Sequence, residues 1–169
     1  LLEVVIGHNF CPFARRELEA GRIIFQVTGT SRKDRMLEEL VDELQRLDDD
    51  PARETTLVIY ANALRGFHEY LDFLEMAQAL LEDQGYEGIY QLASFHPQYQ
   101  FADSDFDDAA NFTNRAPWPV IHILREASVA AAVDAYPGVG EVPQRNITLA
   151  RDKGEAYWRG LLTAIRNGV

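Results

Sequence analysis

Two hydrophobic periods alternate along this chain, and that alternation constrains its fold more than any other feature. Four short runs rich in β-branched and aromatic residues, Arg22–Thr28, Thr55–Tyr60, Ile89–Phe95 and Val120–Leu124, read as strands. Between them, apolar residues recur every three to four positions. Met36, Leu37, Leu40, Val41, Leu44 and Leu47 form one such stripe, and Tyr70, Leu71, Phe73, Leu74, Ala77, Leu80 and Leu81 form the next. Thr30 or Ser31 caps the first of these helices and Asp48–Pro51 ends it. The second runs from Gly66 to Asp83, with Gly85 as its stop. Further helices are expected at Pro12–Ala20, Glu126–Tyr136, Gln144–Arg151 and Glu155–Arg166, with Leu1–Ile6 as a helix end closed around Gly7 and Asn9.

The strand cores lack strict polar alternation, so both sheet faces should be covered. The order α-α-β-α-β-α-β-β-α-α predicts one α/β domain over residues 1–169, with a sheet of about four strands under helices. A thioredoxin-like topology is compatible with that order, and so is another open three-layer sheet. A thioredoxin-type cysteine follows the first strand, whereas Cys11 precedes it, and no second cysteine exists to close a disulfide.

Composition removes several function classes. With 169 residues and 47% hydrophobic content, the chain can bury one full core. Its net charge of −11, from 27 acidic against 16 basic residues, argues against nucleic acid as a partner. No apolar run approaches the roughly 20 residues of a membrane span. Leu1–Ile6 is too short, and lacks the basic leader, for a signal peptide. A single cysteine fits a reducing compartment, so a cytoplasmic location is expected, with a small-molecule ligand as the compatible partner. Nothing in the sequence names a cofactor or an oligomeric state.

Cys11 lies in the dense run His8–Glu17, which reads as a helix start with the cysteine at the N-cap and Pro12 at the first helical position. Helix-terminal amides together with Arg15 and Arg16 would favour a thiolate there. The competing reading is a small buried hydrophobe between Phe10 and Phe13. His96 ends the third strand, where ligands of open α/β sheets gather, and Tyr99 adds a hydroxyl nearby. The expected catalytic set is therefore Cys11 as nucleophile, His96 as general base, and Tyr99. His96 as a turn residue bonded to local backbone is the alternative. Asn9, Asn111, Asn114, Arg115 and Arg125 are the substrate-binding candidates, the arginines as carboxylate or phosphate clamps; ion pairing in an acid-rich chain is their bland account.

His122, inside an apolar strand, reads as a satisfied core histidine. Cys11, His96 and His122 have the ligand types of a zinc site, but no local pairing supports one and no metal is assigned. Gln98–Pro119 has no clean period and reads as a functional or mobile loop, its aspartates at 103–108 lacking calcium-loop spacing. The leading expectation is an enzyme acting on a small molecule at a site centred on Cys11 and His96. Against it stand a non-catalytic ligand- or protein-binding domain with Cys11 buried, and a zinc site.

Five segments together carry a resemblance: Asn9–Arg15, Ala93–Phe101, Asn114–Pro117, His122–Glu126 and Pro143–Asn146. In combination, and across nearly the whole chain, they resemble a bacterial domain-of-unknown-function family. That family usually has Ser where this chain has Ala116, which argues against a catalytic hydroxyl at that position. The resemblance implies a small, single-domain, cytoplasmic protein and brings no assigned activity.

Overall fold

The structure, a computed structural model, describes residues 1–168. A π-helical turn at Leu2–Ile6 precedes α1 (Ala14–Glu19), β1 (Ile23–Thr28), α2 (Lys33–Asp49), β2 (Thr55–Tyr60), α3 (Phe67–Asp83) and β3 (Tyr90–Phe95). After a 3-10 turn at Ala109–Thr113 come β4 (Val120–Arg125), α4 (Glu126–Ala135), α5 (Val142–Lys153) and α6 (Glu155–Asn167). The mixed α/β class and the alternation of elements are those expected from the two hydrophobic periods.

The strands lie in the order β1-β2-β4-β3, with β1 and β2 parallel and β4 antiparallel to both its neighbours. A thioredoxin-like sheet would hold the first strand inside. Here β1 is an edge, and β4 slots between β2 and β3. The long connection of residues 96–119 allows this, because it carries the chain back to enter the sheet antiparallel.

Each strand divides its side chains between two unlike faces. Thr56, Val58 and Tyr60 of β2, with Ile121 and Ile123 of β4, are fully buried on the face carrying α2 and α3. The helices answer with Met36, Leu40, Leu44 and Leu47 from α2 and Tyr70, Phe73, Ala77 and Leu81 from α3. Both connections that place these helices start and end on parallel strands, and right-handed crossovers put them on one side. Truncating any of these fully buried leucines to alanine would cost about 2–5 kcal/mol.

The opposite face is covered more loosely, by the N-terminal turn, α4 and α6. No residue of α4 is fully buried, and Trp158 is the buried residue of α6. A second cluster joins Trp158 to Phe10, Phe112 and Ala150. The Trp158 indole N–H donates to the Ala150 carbonyl (2.9 Å), and its ring lies 5.3 Å from that of Phe10.

Three local expectations are corrected. Cys11 is not an N-cap: α1 starts at Ala14 with Phe13 before it, so the thiol lies outside the helix. Gly7 is right-handed, and glycine is required for space, since a Cβ there would collide with the Glu3 carbonyl oxygen. Asn9 takes the left-handed conformation (φ 54°). Within the segment read as a loop, residues 109–112 form a buried 3-10 turn. Asn111 organises it, accepting from the Phe101 amide and Ser104 hydroxyl and donating to the carbonyls of Asp105 and Phe106.

Candidate functional site

A partly open cavity of about 930 Å³ lies between the second sheet face and the loosely packed helices. Its floor is the set of alternating residues that the other face does not use. These are Ile23 and Phe25 from β1, Thr55, Leu57 and Ile59 from β2, Val120, His122 and Leu124 from β4, and Gln91, Ala93 and Phe95 from β3. Phe10–Ala14 forms one wall, α4 and Tyr136 another, and Trp158, Leu161 and Leu162 of α6 a third. Such a volume, lined mainly by apolar groups with a few polar ones, falls within the range of small-molecule sites. At the rim, Arg22 is paired with Glu17 and reaches Glu54 at 3.8 Å, so these charges largely neutralise one another.

His122 stands at the middle of the floor. Register puts Leu57 on one side of it and Ala93 on the other, and the small alanine leaves room above the sheet. Its Nε2 lies 2.6 Å from the Thr55 hydroxyl oxygen, and that hydroxyl donates to the Ile123 carbonyl. Burial pushes the imidazole down to about 4, so the ring is neutral near pH 7.

Cys11 is half-buried and lines the same cavity. The segment holding it is tied down from α5. The Asn146 side-chain amide donates to the Phe10 carbonyl (2.7 Å), and Arg145 donates to the carbonyl of Asn9. Arg15 and Arg16 face carboxylates at 3.8 and 3.7 Å, from Glu19 and Glu17 respectively.

The structure does not bring His96 to this thiol. His96 is fully buried on the side of the sheet carrying α3, with its ring centroid 5.2 Å from that of Phe67 and 5.1 Å from that of Tyr70. Both nitrogens are engaged: Nδ1 accepts from the Gln98 amide (3.0 Å), so Nε2 carries the proton and donates to the Leu64 carbonyl (2.9 Å). Leu64 is itself in the left-handed region (φ 56°), so His96 clamps a strained connection between β2 and α3. It has no free lone pair with which to act as a base.

The remaining candidates divide by what occupies their polar atoms. Tyr99 packs its ring against Phe67 and Phe101, and its carbonyl accepts from Arg115 Nε. Arg115 lines the cavity at 8% exposure, its guanidinium held between the Phe106 and Phe112 rings at 4.7 and 4.5 Å. Its Nη2 donates to the Phe106 carbonyl, which leaves Nη1 without a protein partner among the described residues. Arg125 lines the cavity too, but spends its donors on the carbonyls of Leu47 and Arg53 and on the Tyr90 hydroxyl. Asn114 braces β3 by donating to the Ser94 carbonyl, and Asn111 is enclosed in its own turn. Among the described residues, no three His, Cys, Asp or Glu side chains come together as metal ligands, so the zinc arrangement of Cys11, His96 and His122 does not form.

Sequence reasoning passed over Thr55, Asn146 and Trp158. Asn146 sits in the Pro143–Asn146 motif, which was its one visible signal. Thr55 and the space above Ala93 became visible only through strand register. No helix among the described residues is long and apolar enough to cross a membrane.

No curated protein and no solved structure matches this chain. A family model, DUF1415, described as a protein of unknown function, matches residues 1–160, and the chain belongs to that family.

Proposed function

We propose that this protein binds a small, predominantly apolar molecule in the cavity between the sheet and α4, α6 and the N-terminal turn. One observation carries this reading: a space of about 930 Å³ whose floor is mostly apolar strand residues, with His122 among its few polar groups. A cavity of that size and lining, left empty in water, forfeits dispersion contacts along its whole wall, and an apolar ligand restores them. Cys11 serves as a wall residue here. A Cys11–His96 nucleophile pair has no support, because both His96 nitrogens are already bonded to backbone.

The test is a fluorescence titration with 1-anilinonaphthalene-8-sulfonate, alongside iodoacetamide labelling of Cys11. One saturable site is expected, with labelling slowed by bound dye. Ala93→Trp, which fills the space beside His122, should abolish binding while leaving the circular dichroism spectrum of the fold intact. Dye binding that survives Ala93→Trp and does not protect Cys11 would place the apolar surface elsewhere and end this assignment.

A further inference from the structure

The geometry points to His122 Nδ1 as a hydrogen-bond acceptor for the ligand, so that the cavity selects apolar molecules bearing a hydroxyl group. This rests on the cavity being a ligand site and adds what the ligand must carry.

The Thr55 hydroxyl has one proton, and it goes to the Ile123 carbonyl. Toward His122 the Thr55 oxygen can therefore only accept. Nε2 must hold the ring proton, and in a neutral imidazole that leaves Nδ1 as a bare lone pair. Nδ1 has no partner among the described residues. Three side-chain polar atoms there are sealed away without a partner: Thr28 Oγ1, Glu39 Oε2 and the Tyr60 hydroxyl. His122 Nδ1 is not one of them, and His122 lines the cavity. Its neighbours across the strands, Leu57 and Ala93, offer no polar group to occupy it.

An acceptor fixed in this way discriminates by chemistry. A ligand hydroxyl gains a bond in a low-dielectric setting, whereas an ether of the same shape presents oxygen lone pairs to a nitrogen lone pair.

The experiment compares 1-naphthol with 1-methoxynaphthalene, which share a ring system and differ in the donor. Wild type should bind the naphthol about tenfold more tightly. In His122→Phe that preference should collapse, with affinity for the methyl ether retained. Equal affinities in wild type, or a preference that survives His122→Phe, would overturn the assignment of Nδ1 while leaving the cavity as a binding site. Binding of neither compound would remove both. Should His122→Phe fail to fold, two-bond nitrogen–proton correlation spectra of the wild-type imidazole decide the tautomer directly. A bare Nδ1 and protonated Nε2 are expected, and the reverse assignment refutes the proposal.

Discussion

The position of His122 makes a quantitative demand on stability against pH. In the unfolded chain its imidazole titrates near 6.5, and in the folded protein burial pushes it down to about 4. Between those values the unfolded state binds the extra proton, so acid favours unfolding. The contribution of the neutral ring is fully present above about pH 6.5 and drains away as pH falls toward 4. Linkage over that gap gives a loss of about 2 kcal/mol at pH 5 relative to pH 7.5, approaching about 3 kcal/mol below pH 4. Other groups contribute to acid unfolding as well, Asp108 at lower pH, since its hydrogen bond from Arg151 holds it down to about 2. Their effect cancels in a comparison of wild type with His122→Phe, which keeps the ring's bulk and removes its titration. The assay is urea unfolding of both proteins at half-unit intervals from pH 7.5 to 4.5. Wild-type stability should fall below its starting offset from the variant by about 2 kcal/mol at pH 5. Parallel curves would mean that water fills the cavity and solvates the imidazolium, and the argument for a dry apolar site would fail with them.

Two other substitutions separate structural roles from chemical ones. His96→Ala deletes the clamp on the Leu64 carbonyl and the acceptor for the Gln98 amide, and should cost about 2–4 kcal/mol in urea melts. It should leave the labelling rate of Cys11 in the folded protein unchanged; a slower rate without lost stability would put His96 back beside the thiol. Asn146→Ala strips the Phe10 carbonyl of its partner and should cost about 1–3 kcal/mol. It should also speed iodoacetamide labelling of Cys11 by loosening the segment that carries it, and unchanged labelling would show that α5 does not hold that wall.

The elements were legible because their periods are local. The stripe Met36, Leu40, Leu44, Leu47 announces α2 without any knowledge of what it packs on, and the fully buried state of all four in the structure follows from it. Strand order was not legible, since nothing near Val120–Arg125 says that it inserts between β2 and β3. The site suffered from the same locality. Val120, His122 and Leu124 alternate with Ile121 and Ile123, and all five read as apolar core or its equivalent. Only the unequal coverage of the two faces turns the first three into a cavity floor and leaves the other two in a packed interior. His96 looked available because its strand-end position is a common ligand site, yet two backbone groups, one 32 residues away, consume its nitrogens. At Cys11 the Cys-Pro pair suggested a helix start, while the first helical residue of α1 is Ala14.

The late insertion of β4 has a consequence for how the chain leaves the ribosome. Among the described residues β3 pairs with β4 alone, and the edge of β2 away from β1 is filled by β4. Until residue 125 has emerged, a nascent chain can form the β1–α2–β2 unit but must carry β3 without a ladder and β2 with one side open. Unpaired edges of this kind are where growing chains pair wrongly or recruit chaperones. Translation pauses before residue 125 has cleared the ribosome should therefore raise aggregation, and pauses after it has cleared should not.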